Sequence, residues 1–186
     1  MSALDQTTGL IMSEAATLGE GALSAEALTA ANVHPETGLA TDYLNHFNEV
    51  VMLLEMLPDM PDFAEEVLAW EPVPYEEHFE RTNYVGKETV IAAYAAVDHT
   101  LKAHLETIVA AVNDEMREAQ SKVRAGDFAG ASAMAGSEIE SLLAAARAAV
   151  QGRIEAKALM TAPPPRPQPT PCLIDPEFLS SLTSPL

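Results

Sequence analysis

The stretch from Asp98 to Ala125 contains neither proline nor glycine, and its apolar residues recur at every third or fourth position. On an α-helix of 3.6 residues per turn, this spacing places them along one face. Asp98 is a favourable N-cap residue and Gly126 a favourable stop. We therefore expect one long helix over 99–125 that buries a single stripe against other helices. The stripe consists of Leu101, Leu105, Ile108, Val112, Met116, Ala119 and Val123.

Two more long helices are predicted from the same kind of pattern. One covers 42–57, with Thr41 as its cap and Pro58 as its stop. The other covers 137–160 and has its own apolar stripe. We expect it to form an antiparallel pair with the helix over 99–125. The stripe consists of Ile139, Leu142, Leu143, Ala146, Val150, Ile154 and Leu159.

Shorter helices are expected where proline and glycine interrupt the chain. Asp59 and Pro61 suit a helix start over 60–69, and Ser24 with Glu26 suits a short helix in the N-terminal segment. Two more short helices are predicted, over 75–80 and 88–97.

The predicted fold class is therefore all-α, a helical bundle with a long antiparallel helix pair. Aromatic residues make up only 5% of the chain, which favours packing through alanine, leucine and methionine. We divide the chain into an acidic, alanine-rich segment of short helices or partial disorder, a helical domain, a proline-rich linker and a short apolar tail. These are residues 1–40, 41–161, 162–172 and 173–186.

Charge is distributed very unevenly along the chain. The net charge is −18, and no lysine or arginine precedes Arg81. An acidic surface of this kind repels nucleic-acid phosphates and anionic lipids, so neither nucleic acid nor a membrane is an expected partner. It is compatible with a basic protein partner.

Cysteine content and hydropathy bear on the compartment. Cys172 is the only cysteine, so no internal disulfide can form, and no long apolar run suggests a signal peptide or a membrane span. The expected location is the cytoplasm.

Two regions are predicted to contact a protein partner. In the helix over 42–57, Met52, Leu53 and Met56 lie opposite the predicted core face, and they contact either the segment 1–40 of the same chain or a partner. In the tail, Asp175 and Pro176 suit a helix start, and an amphipathic hook is expected to follow them, docking in trans or in cis. The apolar residues of the hook are Phe178, Leu179 and Leu182.

Two alternative functions are considered besides protein binding, and the second of them is the binding of a divalent metal ion. Asp42, His46 and Glu49 are spaced i, i+4 and i+7, which places them on one face of a helix. Carboxylate and imidazole groups bind divalent metal ions, provided that another helix supplies a further ligand. The alternative interpretation is a solvated polar face.

The first alternative is phosphotransfer. The segment from His99 to Ala103 resembles the active-site segment of histidine phosphotransfer domains, which are helical bundles. The resemblance implies that His99 accepts the phosphoryl group and that Lys102 supports it.

No nucleophile elbow and no glycine-rich phosphate loop occurs in the sequence. We therefore expect a non-catalytic adaptor, scaffold or regulatory protein that binds a protein partner and needs no cofactor. Homo-oligomerisation is left open.

Overall fold

The computed structural model describes residues 17–154, and the described residues are mostly helical, at 72%, with no β-strand among them. The predicted all-α fold is therefore confirmed. The linker and the tail, with Phe178, Leu179 and Leu182, lie outside the described residues. The α-helices in chain order are α1 (Ala25–Ala30), α2 (Asn45–Met56), α3 (Ala64–Ala69), α4 (Tyr75–Arg81), α5 (Lys87–Ala95), α6 (His99–Arg124), α7 (Phe128–Met134) and α8 (Glu140–Val150).

Helix α6 is the central element of the fold. Asp98 Oδ1 accepts hydrogen bonds from the amides of Thr100 and Leu101 at 2.9 and 3.2 Å, as the sequence predicted. At the other end, Gly126 takes a positive φ of 77° and the amide of Asp127 donates to the carbonyl of Lys122. A hydrogen bond of this kind closes a Schellman motif, and it ends the helix.

The segment after α6 differs from the prediction. We expected a separate helix to begin at residue 137, but α7 continues through a π-helical turn, Ala135–Ile139, into α8. The prediction that a helix extends to residue 160 was also wrong, because α8 ends at Val150. Gly152 adopts a φ of 79°, and the amide of Arg153 donates to the carbonyl of Ala148. This second Schellman motif ends the helix, and Ile154 is 47% exposed instead of buried.

The helices share one hydrophobic core. Helix α6 packs against α3, α7 and α8, whereas α2 packs against α3, α7 and the π-helical turn. Several core positions in this region are alanine, which lets helices approach closely. They are Ala119, Ala131, Ala135, Ala146, Ala148 and Ala149.

The N-terminal part of the described chain closes over this core. Ser24 accepts a hydrogen bond from the amide of Ala27, so it caps α1 as predicted. Leu23 and Leu28 are buried, and α1 packs on α5. Within residues 17–154, no helix is long and apolar enough to cross a membrane.

The starts of α2 and α3 differ from the prediction. A 3₁₀ turn, Thr41–Leu44, precedes α2, and Thr41 makes no capping hydrogen bond through its side chain. Another 3₁₀ turn, Pro61–Phe63, precedes α3, and Asp59 does not cap it. These tight turns change the direction of the side chains relative to a continuous α-helix.

Candidate functional site

A cluster of aromatic side chains fills the space between α2, α4 and α5. Tyr75 stacks on Tyr94 with ring centroids 4.1 Å apart, and Tyr43 lies against Tyr75 at 5.0 Å. The hydroxyl of Tyr43 donates to the carbonyl of Val73, and the amide of Ala40 donates to the hydroxyl of Tyr75. These bonds anchor the extended segment before α4 to the 3₁₀ turn before α2. The aromatic rings are therefore held rigidly.

His46 lies at the edge of this cluster. Its ring stacks on Trp70 with centroids 4.9 Å apart, and His78 lies 5.9 Å away. The pKa of His46 is lowered to about 4. The main cause is burial, and the second is the positive charge that His78 would carry. Burial also lowers the pKa of His78. Both effects favour neutral rings at pH 7, which pack as part of the core edge.

The three candidate metal ligands do not form a common site. Asp42 lies in the 3₁₀ turn, where its Oδ2 accepts a hydrogen bond from the hydroxyl of Tyr84 at 2.9 Å. His46 faces Trp70, and Glu49 is exposed. Across residues 17–154, no group of three or more histidine, cysteine or acidic side chains is placed to hold a metal ion. The geometry therefore gives the metal alternative no support.

The two residues of the phosphotransfer alternative have different surroundings. His99 is exposed at the first position of α6. The ammonium of Lys102 lies over the ring of Tyr94, 3.9 Å from its centroid. The ammonium of Lys102 thus contacts the ring of Tyr94, whereas the resemblance implies that it lies beside His99.

Next to Lys102 is a cleft of about 270 Å³ between α6 and the start of α4, here named the tyrosine cleft. One side is a stripe of α6 that runs from Lys102 to Asn113. The opposite side is formed by the aromatic cluster and Pro74. The lining residues are Tyr43, Pro74, Tyr75, Glu76, Tyr94, Lys102, Leu105, Glu106, Val109, Ala110 and Asn113.

The polar groups of the tyrosine cleft are arranged around Tyr94. Its hydroxyl donates to Glu106 Oε1 at 3.0 Å. Burial and this hydrogen bond raise the pKa of Tyr94. Because Tyr75 covers one face of the ring, the ammonium of Lys102 occupies the other. The cleft between these elements was not predicted. Two features of the sequence point toward it, the tyrosine at the proline break, Tyr75, and the spacing of Lys102, Glu106 and Asn113 along one side of α6.

A second feature lies on the surface of α2. Met52 and Met56 are four residues apart and therefore adjacent on the helix. The amide of Met60 donates to the carbonyl of Met56 at 2.9 Å, which places Met60 one turn further on. Met52 is 54% and Met60 45% exposed, whereas Met56 is partly buried. We name these three residues the methionine ridge.

The third predicted contact residue of α2 has a different environment. Leu53 is partly buried and packs against the core, so it does not belong to the methionine ridge. Met60 was not predicted, because proline and aspartate on both sides of it suggested a new helix start.

Comparisons with known proteins do not relate this chain to any family. No family model matches the chain, and neither the curated proteins nor the solved structures give a significant match.

Proposed function

We propose that this protein is a non-catalytic adaptor, scaffold or regulatory protein that binds a protein partner through the methionine ridge. The observation that carries the proposal is the exposure of Met52, on α2, and of Met60, in the turn after it, two large apolar side chains in contact with solvent. Methionine side chains are flexible and polarizable, and they are frequent on surfaces that bind helical segments of other proteins.

The charge around the methionine ridge favours a basic partner. Three exposed acidic residues lie near the methionine ridge in the sequence, namely Glu49, Glu55 and Asp59. No lysine or arginine precedes Arg81. An amphipathic segment with apolar residues on one face and lysine or arginine on its flanks would match both properties. Electrostatic attraction would increase its association rate, and added salt would reduce the effect.

Two further elements belong to the proposal. We retain Phe178, Leu179 and Leu182, which lie outside the described residues, as a second contact with the partner, because an apolar tail of this kind is too short to form a core of its own. We also retain the antiparallel pairing of α6 with the last long helix, which was expected over 137–160 and of which α8 is the described part. The contacts of α6 with both α7 and α8 support that arrangement.

The test is affinity capture with the full-length protein and with a variant in which Met52→Gln and Met60→Gln are combined. We expect proteins recovered by the wild type to be lost with the variant, because the burial of one methionine contributes roughly 1.5–3 kcal/mol. Each recovered protein is then purified, and its affinity is measured by calorimetry. The expected loss for the variant is about tenfold or more.

Val85→Ser provides the matched control, since Val85 is another large apolar side chain that is exposed to solvent. Equal binding by the wild type and the methionine variant would refute the role of the ridge. A version that ends at Ala162 tests the tail separately, because it removes Phe178, Leu179 and Leu182 together.

A further inference from the structure

We propose that the tyrosine cleft binds an arginine side chain of the partner, and that Lys102 fills the cation position when no partner is bound. This inference rests on the proposed binding function and adds the chemistry of one contact to it. It concerns α4, α5 and α6, whereas the methionine ridge lies on α2 and the turn after it.

The size of the cleft suits one side chain. Pockets that enclose a whole small-molecule ligand are commonly about 300–1,000 Å³. At about 270 Å³, with Leu105, Val109 and Ala110 along one side, the cleft is smaller and partly apolar. A long side chain with an apolar stem and a polar end matches these dimensions.

The position of Lys102 shows that the cleft accepts a cation. Its ammonium lies 3.9 Å from the ring centroid of Tyr94, well within the range of about 6 Å for a cation–π interaction. Within residues 17–154, Lys102 makes no ion pair with a carboxylate. Its ammonium can therefore move into solvent without breaking a salt bridge to another described residue.

The remaining polar groups favour a guanidinium as the incoming cation. Glu76 and Glu106 line the cleft, and neither forms an ion pair within the described residues. Asn113 also lines the cleft, and its Oδ1 is buried without a hydrogen-bond donor from residues 17–154. A guanidinium has five N–H donors in a plane, so it can stack on Tyr94 and donate to the exposed carboxylates of Glu76 and Glu106.

The test uses the full-length protein and three blocked hexapeptides of glycine and serine that contain one arginine, one citrulline or one glutamate. Citrulline has the shape of arginine but no charge. Binding is followed by two-dimensional NMR. We expect the arginine peptide to shift the amide signals around Tyr94, Lys102 and Glu106, and we expect no such shifts with the other two peptides.

Variants test the proposed exchange with Lys102. Lys102→Met keeps the apolar stem but removes the competing cation, so we expect it to bind the arginine peptide about threefold or more tightly. Glu76→Gln combined with Glu106→Gln should weaken binding by a similar factor. Glutamine at position 106 can still accept the hydrogen bond of Tyr94, which preserves the wall of the cleft.

Three results would overturn the proposal. They are equal binding of the citrulline peptide, binding of the glutamate peptide through Lys102, and unchanged or weaker binding of the arginine peptide by Lys102→Met. The variant with Met52→Gln and Met60→Gln is the control and should bind the arginine peptide normally. Failure at the cleft can thus be distinguished from failure at the methionine ridge.

Discussion

At the scale of single residues, His46 makes the stability of the protein depend on pH. Its pKa is about 4 in the folded protein, compared with an ordinary value of 6.5. Below about pH 6.5 the unfolded chain therefore binds a proton that the folded protein does not bind. The free energy of unfolding should fall as the pH decreases from 6.5 to 4, and His46 should have no effect above this range. Since His46 is only partly buried, we expect a loss of about 1–2 kcal/mol.

The measurement is urea unfolding at pH 7 and pH 4.5, followed by the fluorescence of Trp70, the only tryptophan. Carboxylates also titrate in this range, so the wild type is compared with His46→Phe, which retains a ring against Trp70. The variant should lose less stability on acidification. An equal loss in both proteins would show that His46 does not cause the effect.

At the scale of an element, the start of α6 depends on one carboxylate. Asp98 Oδ1 accepts hydrogen bonds from two amides that have no acceptor within the helix. We expect Asp98→Ala to lower the free energy of unfolding by about 1 kcal/mol. Thermal and urea unfolding measure the change. Asp98→Asn is the control, since asparagine is also a good cap, and a similar loss with asparagine would argue against capping as the cause.

At the scale of the whole molecule, one hydrogen bond joins segments that are distant in the sequence. The hydroxyl of Thr37 donates to the carbonyl of Val150 at 2.7 Å, and both residues are buried. The bond fixes the N-terminal loop to the end of α8. Thr37→Val preserves the shape but leaves this carbonyl without its donor. We therefore expect a loss of about 1–3 kcal/mol in the free energy of unfolding.

Urea unfolding gives the total loss, and hydrogen exchange shows where it acts. Amides near Val150 and Leu39 should exchange faster in Thr37→Val than in the wild type. Thr37→Ser retains the hydroxyl and should stay close to the wild type. Uniform acceleration throughout the described helices, without a local excess at these two places, would contradict the proposed connection.

Features that depend on neighbouring residues were predicted from the sequence more accurately than features that depend on distant ones. Asp98 and Gly126 bracket α6 almost as expected, because capping and termination depend on residues close in sequence. The predicted end of the last helix was wrong, because the apolar pattern from which it was predicted includes Ile154 and continues past Gly152. In the structure, the hydrogen bonds of the Schellman motif end the helix despite that pattern.

The tyrosine cleft could not be predicted from local patterns. Tyr43, Tyr75 and Tyr94 belong to three separate elements, and they meet because the segment before α4 crosses the 3₁₀ turn before α2. The resemblance to histidine phosphotransfer domains implies a role for Lys102 beside His99, whereas the structure places its ammonium against Tyr94. Contacts between distant segments decide the environment of each of these side chains.

The alanine-rich seam between α6, α7 and α8 restricts the internal motions of the protein. Alanine has no side-chain rotamers to exchange, so its positions in this part of the core cannot adapt by a change of rotamer. Ala119, Ala146 and Ala149 are buried here and present only methyl groups to their neighbours. At these alanine positions, a change in packing requires sliding or rotation of intact helices, a kind of motion that typically takes microseconds to milliseconds.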